Sequence, residues 1–416
     1  MQIIKKNITF ITPLYIPANI SGSSFVTKQL AEIFADEKFA VSVITSNALT
    51  ARYWYDPIWG KKIQKTVEVI NAVTITRLSC NQFYSSIMYV LVRKFYKLFD
   101  SNTLNTLKIK YNGPYLKQLK QQIQRQKSDI IHCSTFPLGL SKQVIDIITH
   151  NKNCKKPKII ITPFYHSEIN DFQNPALKQI LHNVDAIHVV SNAEKHALMN
   201  IFEIDSKKIL VIPLFLDIKK MKTAKELIIK TKEFKEQYRI TKREIVLFAG
   251  NKGFMKGAPM LLEVVDALYR KDKKVLLIAI GNSTNEWEDA KKKVNKDCLL
   301  DFGYVSNEEK EIIFNATDIY CMPSLSESFG LTYLEAWHKR KPVIGADIPA
   351  VRELIKNNNA GEVVSFGDKD ALTMSIERLL TNKQKAKRLG ENGYRALMNK
   401  YSLAVLFPEY KKMFLS

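Results

Sequence analysis

Residues 324–336 read SLSESFGLTYLEA, with one glutamate, Glu327, ahead of an apolar stretch and a second, Glu335, inside it. The spacing of Leu331, Leu334 and Trp337 predicts a helix beginning near Ser328. The N–H groups of Ser328, Phe329 and Gly330 then have no intrahelical partner. A helix start of this kind carries about half a positive charge and receives phosphate readily. Gly330 suits close approach of the backbone to a ligand. Glu335 falls two turns further on, roughly 10–12 Å along the axis. Carboxylates accept paired hydrogen bonds from vicinal hydroxyls, so the stretch has the chemistry to hold a diphosphate flanked by two sugars. A plainer arrangement uses the same residues: Glu327 caps the helix and Glu335 pairs with Lys339 four positions later.

The elements that must position this stretch are legible as runs of Ile, Val and Leu. In the first half they lie at 7–13, 40–46, 129–135, 158–164, 186–191 and 208–213; in the second, at 244–250, 275–281, 298–303, 318–324, 342–347 and 361–366. Such unbroken apolar runs predict strands buried on both faces, as in parallel sheets. Helical segments such as 257–271 alternate with them, which predicts an α/β fold of two doubly wound, Rossmann-like domains. The expected division is 1–215 for an N-terminal domain and 216–395 for a C-terminal one. Residues 396–416 are expected to form a closing helix, which either packs on the C-terminal domain or returns to the N-terminal one. Ligands of such sheets bind beyond the carboxyl ends of the strands.

Composition narrows the classes. The chain has 416 residues, too many for one ordinary core, and a net charge of +22 that suits an anionic partner. Five scattered cysteines without a CxxC pair argue against a disulfide or zinc framework and for a reducing compartment. Polar residues interrupt the N-terminal apolar stretch, which reads as a first strand rather than a signal peptide. No apolar run approaches the ~18 residues that cross a bilayer, so a cytoplasmic protein, either soluble or peripheral at the inner membrane face, is expected. No GxGxxG follows the first strand of either half, which disfavours a nicotinamide enzyme, and no nucleic-acid motif accompanies the charge.

The whole stretch 324–355, SLSESFGLTYLEAWHKRKPVIGADIPAVRELI, resembles the donor-binding signature of retaining glycosyltransferases of family 4. Segments in the order of that family continue the likeness: 13–46, SDIIHCSTFPLG (128–139), ITPFYHSE (161–168), VDAIHVVSNAEKHAL (184–198), KILVIPLFLD (208–217), FAGNKGFMKGAPMLLE (248–263) and NNNAGEVVSFGDKDAL (358–372). The resemblance implies a GT-B fold, two Rossmann-like domains facing each other across a cleft, with 1–215 on the acceptor side and 216–395 binding the nucleotide sugar. It implies transfer of a sugar, with anomeric configuration retained, from a UDP- or GDP-linked donor to an acceptor hydroxyl, without a metal or other cofactor. The product would be a cell-surface glycan or lipid-linked saccharide. A catalytically silent GT-B partner or scaffold is the alternative.

Residue by residue, the resemblance gives Glu335 the nucleotide ribose and Glu327 the donor sugar. The amides of Ser328, Phe329, Gly330 and Leu331 approach sugar and diphosphate. Lys256 matches the family's diphosphate-binding lysine. The usual arginine after Gly250 is Asn251 here, and Lys252 is expected to supply the missing charge. Gly281 and Asn282 match a turn lining the nucleotide site, Gly22 the loop facing diphosphate and acceptor, and His166 a histidine facing the transferred sugar. The expected catalytic residues are Glu327, His166 and Lys256, with no metal ligand.

Residues 83–127 interleave aromatic and basic residues, and Ile87, Leu91 and Leu98 can share a helical face. Two readings stand side by side: docking on an anionic membrane surface to reach a lipid-linked acceptor, or an apolar face turned into the domain core. The aromatics of RYWYDPIWG (52–60) either stack on an acceptor sugar or pack a loop.

Overall fold

A computed structural model describes residues 6–18, 22–56, 58–95, 100–134, 138–150, 156–271 and 274–416. The chain forms two compact units: Met1–Ile212 together with Lys411–Ser416, and Pro213–Tyr410.

The first unit is built on strands β1 (Asn7–Ile11), β2 (Ala40–Ser46), β3 (Val67–Ile70), β4 (Val73–Leu78), β5 (Ile130–Ser134), β6 (Lys158–Thr162), β7 (Ala186–Val189) and β8 (Ile209–Val211). Their order is β3-β4-β2-β1-β5-β6-β7-β8, parallel except for the β3–β4 pair. The central strands are buried along their length, β5 at every residue, which is why they read as unbroken apolar runs. The β3–β4 hairpin escapes that reading. It lies at the sheet edge, where Val67 and Val69 face solvent, so no continuous apolar run marks it.

A buried polar chain crosses this sheet. The His132 ring, Thr162 and the His188 ring follow one another at 2.8 Å, and His188 Nε2 lies 2.8 Å from the Ile212 carbonyl. Because that carbonyl only accepts, His188 Nε2 donates to it. Thr162 then donates to His188 Nδ1 and accepts from His132 Nε2. Burial pushes His132 down to about 3, aided by the neighbouring His188, and His188 down to about 4. Phe414, within the helix Leu403–Leu415, packs against Phe10, Phe34 and His132 in this unit.

The second unit holds β9 (Glu244–Ala249), β10 (Val275–Ile280), β11 (Leu299–Phe302), β12 (Ile319–Met322), β13 (Val343–Ala346) and β14 (Gly361–Val364). The order β11-β10-β9-β12-β13-β14 is parallel throughout. The chain builds outward from β9 on one side, then returns to lay β12 on the other. The β9 and β12 loops therefore leave neighbouring strands at the switch point, the place where doubly wound sheets open a crevice. The charged stretch 217–243 falls inside this unit and contains the helix Ile228–Gln237, which buries no residue. No helix among the described residues is long and apolar enough to cross a membrane.

Candidate active site

Two loops at the β9–β12 switch point are stitched together by their backbones. Gly257 has φ +72°, and a Cβ there would lie 2.2 Å from the Pro323 carbonyl oxygen, so only glycine lets the β9 loop lie against the end of β12. The Leu325 N–H donates to the Met255 carbonyl at 2.9 Å. This brings Lys256 Nζ within 2.7 Å of Glu327 Oε2. The lysine side chain keeps 29% of its exposure and the glutamate 14%, so the pair is reachable from solvent. Sequence spacing separates these two residues by 71 positions; the fold makes them one unit.

The following helix is Leu331–His338, three residues later than the predicted start. Gly330 at φ +90° forms its N-cap, and a Cβ there would meet the Tyr333 ring at 2.4 Å. The Tyr333 N–H turns back to the Gly330 carbonyl at 3.0 Å. The donors left open by the helix start are therefore those of Leu331 and Thr332, while Ser328, Phe329 and Gly330 belong to the loop ahead. Phe329 is buried, its ring against Tyr401. The Tyr333 hydroxyl donates to the Met322 carbonyl and the Tyr320 hydroxyl bonds Thr332, which fixes the helix on β12.

Glu335 does not pair with Lys339, whose ammonium instead meets Glu311 at 2.9 Å. Its partner is Lys310, at 2.6 Å from Oε1, on the helix Asn307–Ala316. Burial alone would lower the Lys310 pKa; the carboxylate beside it raises it, so the ammonium stays charged. Glu335 Oε2 is buried and has no hydrogen-bond partner among the described residues. A carboxylate oxygen left open in a buried position is an acceptor prepared for a ligand donor. Lys310 carries no motif spacing to Glu335, and sequence reasoning missed it.

Lys252 requires a correction. Its side chain is 1% exposed and its ammonium sits 2.5 Å from Asp301 Oδ1 and 2.7 Å from the Phe302 carbonyl, above the Trp287 ring. Asp301 also receives Lys291 and Trp287 Nε1. Burial would raise the Asp301 pKa, yet these donors hold it below the usual carboxylate range. Lys252 is thus a structural cation, and it does not replace the absent arginine; Asn251 beside it is exposed. Gly281 and Asn282 stand against the same loop. The Lys252 N–H donates to the Asn282 carbonyl at 2.8 Å, and a Cβ on Gly281, at φ +123°, would lie 2.0 Å from the Gly250 carbonyl oxygen.

His166 and Gly22 lie in the first unit. His166 follows β6, half-buried, with its ring against Phe172. Gly22 opens the helix Gly22–Asp36, and among the described residues nothing lies within 4 Å of a Cβ placed there. Part of the preceding loop, 19–21, is outside the described residues. In the same unit Trp54 is buried and donates to Ser46 Oγ at 3.1 Å, and the Tyr55 hydroxyl accepts from the Gly113 N–H at 2.8 Å, so these two aromatics pack a loop. Ile87 and Leu91 do not enter the core: they are 49% and 39% exposed. Leu98 lies outside the described residues.

The sequence profile described as "Glycosyltransferase Family 4" matches residues 20–220, and that described as "Glycosyl transferases group 1" matches 230–396. The chain belongs to glycosyltransferase family 4. Among curated relatives of this family 4 chain, the alpha-D-kanosaminyltransferase of Streptomyces kanamyceticus is 27% identical over 176 residues, covering 41% of this chain and 45% of the relative. The MMP alpha-(1->4)-mannosyltransferase of Mycolicibacterium hassiacum is 24% identical over 228 residues, covering 54% and 52%. The chain spans about half the length of the curated relatives it matches. Among solved structures, sucrose-phosphate synthase from Thermosynechococcus elongatus superposes with a TM-score of 0.73 at 17% identity, covering 99% of this chain and 98% of that one. HepE from Anabaena in complex with UDP and glucose gives 0.70 at 13% identity, covering 99% and 100%. The fold is GT-B.

Proposed function

We propose that this protein is a retaining glycosyltransferase. It moves a sugar from a UDP- or GDP-linked donor to an acceptor hydroxyl in the synthesis of a cell-surface glycan or lipid-linked saccharide. The observation that carries this reading is the sheet edge of the second unit, where the Lys256–Glu327 pair and the open Glu335 oxygen follow adjacent strands. Family membership and the UDP and glucose held by the Anabaena neighbour support the donor class.

In the reaction so proposed, the bond from sugar C1 to the diphosphate breaks as C1 bonds the acceptor oxygen on the same face. The acceptor proton passes to a donor phosphate oxygen. Charge grows on the departing diphosphate, and Lys256 with the amides from Ser328 to Leu331 stabilises it electrostatically. Glu335 holds the ribose hydroxyls through its open oxygen, with Lys310 fixing the other. Glu327 orients the transferred sugar. This chemistry asks for no metal ion. For His166 and Gly22 the reading rests on the family motif alone: His166 faces the sugar, and Gly22 the diphosphate and acceptor. Residues 83–127 are the proposed contact with the inner membrane face.

Thermal-shift measurements with UDP-, GDP- and ADP-sugars test the donor assignment. One base class should raise the melting temperature of the wild type and leave Glu335→Ala almost unmoved. A wild type indifferent to all three, or a variant that responds fully, would return the two glutamates to ordinary helix chemistry.

A further inference from the structure

The described side chains of the segment from Phe83 to Phe95 include both buried and exposed ones. Val92 is buried, and the Tyr84 ring stacks on Tyr115 at 4.7 Å and Tyr111 at 5.8 Å, which ties the segment to the first unit. The exposed ones include Phe83, Ile87, Leu91 and Phe95, four positions apart in a π-helical turn and the α-helix after it. Their exposures are 55%, 49%, 39% and 43%, with Val90 beside them at 59%. Side chains at that spacing lie one above another along a helix.

A second apolar projection adjoins this stripe. The short helix Arg52–Tyr55 packs on the Phe83–Met88 turn, and Gln82 Nε2 donates to the Tyr53 carbonyl at 3.3 Å. Just beyond that helix, Asp56 Oδ1 accepts from the N–H groups of Ile58 and Trp59, at 3.2 and 3.0 Å. The turn so held presents Ile58 at 82% exposure and Trp59 at 73%. The clamp holds the Trp59 ring in water, where it adds nothing to the apolar core.

Charge identifies the occupant. Between positions 58 and 127 the sequence has 13 Lys or Arg and 2 acids. Lys61, Lys62 and Lys94 are exposed next to the apolar side chains. Glu68, one of the two acids, is held by Arg77 and Lys65, and the other, Asp100, caps the helix Ser101–Lys110. An apolar stripe bordered by cations, with a tryptophan at its margin, matches the headgroup layer of an anionic bilayer.

We propose that the Ile58–Trp59 turn and the stripe from Phe83 to Phe95 are one docking face for an anionic lipid bilayer. The aromatic and aliphatic side chains enter the interface while the lysines meet lipid phosphates. This deepens the membrane contact proposed above, and its test is independent of sugar transfer.

Trp59 provides its own probe, because Trp54, Trp287 and Trp337 are buried. Vesicles containing phosphatidylglycerol should shift the emission of the full-length wild type to shorter wavelength and sediment with it, while phosphatidylcholine vesicles should do neither. Ile87→Ser combined with Leu91→Ser keeps Trp59 and should weaken partition about tenfold, since both side chains face water and their loss leaves the core intact. The control pair Ile228→Ser and Ile229→Ser removes exposed apolar groups of the other unit, at 60% and 71%, and should partition as the wild type does. No emission shift with anionic vesicles, equal partition of the stripe variant, or a lipid-free self-association that this variant abolishes would each overturn the proposal. A protein that docks but ignores every nucleotide sugar would sink the transfer reading and leave this face standing. The converse result would do the reverse.

Discussion

Two lysines in the loop after β9 show how neighbouring residues of one type acquire opposite work. Lys252 is closed beneath the loop, its ammonium saturated by Asp301, the Phe302 carbonyl and the face of Trp287. Lys256 meets the Glu327 carboxylate and, at 3.4 Å, the Ser326 carbonyl, and keeps part of its surface in solvent. A lysine is a mobile point charge, so its role is set by what the fold offers at the end of its stem. The first region holds the loop to the sheet; the second leaves a cation free to exchange partners with a ligand.

The sharpest way to break this contrast is to remove each charge. Lys252→Met should lower unfolding stability by about 3 kcal/mol, at the low end for a broken buried pair because Asp301 keeps Lys291 and Trp287. Denaturant titration reads that loss, and a variant as stable as the wild type would show that the pair holds nothing. Lys256→Met should leave stability almost unchanged while kcat for transfer falls by about 10²- to 10³-fold, the usual effect of losing one stabiliser of developing charge. Unaltered turnover in that variant would remove Lys256 from the chemistry.

The two glutamates extend the comparison. Glu335→Ala should weaken nucleotide binding by about 10- to 100-fold, because a buried acceptor and its Lys310 partner are both lost to the ligand site. Calorimetry with the free nucleotide reads it. Glu327→Ala should bind nucleotide nearly as tightly and transfer more slowly; equal effects on binding and turnover in both variants would erase the division between them.

The smallest effect concerns the first unit. His132 and His188 are kept neutral in the fold at about 3 and 4 against an ordinary 6.5. The unfolded chain binds protons first as pH drops, so their contribution is complete above about 6.5 and declines as pH falls toward 4 and then 3. Melting temperature followed across that window should decline more steeply in the wild type than in His132→Phe. Parallel curves would place the acid sensitivity elsewhere.

Much of this was readable in the chain. All twelve apolar runs became strands; most are buried on both faces and so carry no polar alternation, while the edge strands β8 and β11 are only part-buried yet stay short apolar runs. The edge hairpin of β3 and β4 was not readable, since Val67 and Val69 face water and polar residues alternate with the apolar ones. The motif around Glu327, Glu335 and Lys256 was also visible, whereas the packing reason for Gly330, a positive φ with the Tyr333 ring against it, was not. The assignment of charge partners was not. The sequence placed Lys339 four residues after Glu335, a helical pairing distance, but the fold sent Lys339 to Glu311 and brought Lys310 instead.

Sequence alone determined the strand pattern, the family and the residue types able to grip a diphosphate, because hydrophobic period and local motif are properties of neighbours along the chain. Only the tertiary structure decided which lysine is locked and which is open, where the helix at Leu331 begins, and which apolar side chains stay in water. Those outcomes depend on groups many positions apart meeting in space, and on how much solvent each retains once they have met.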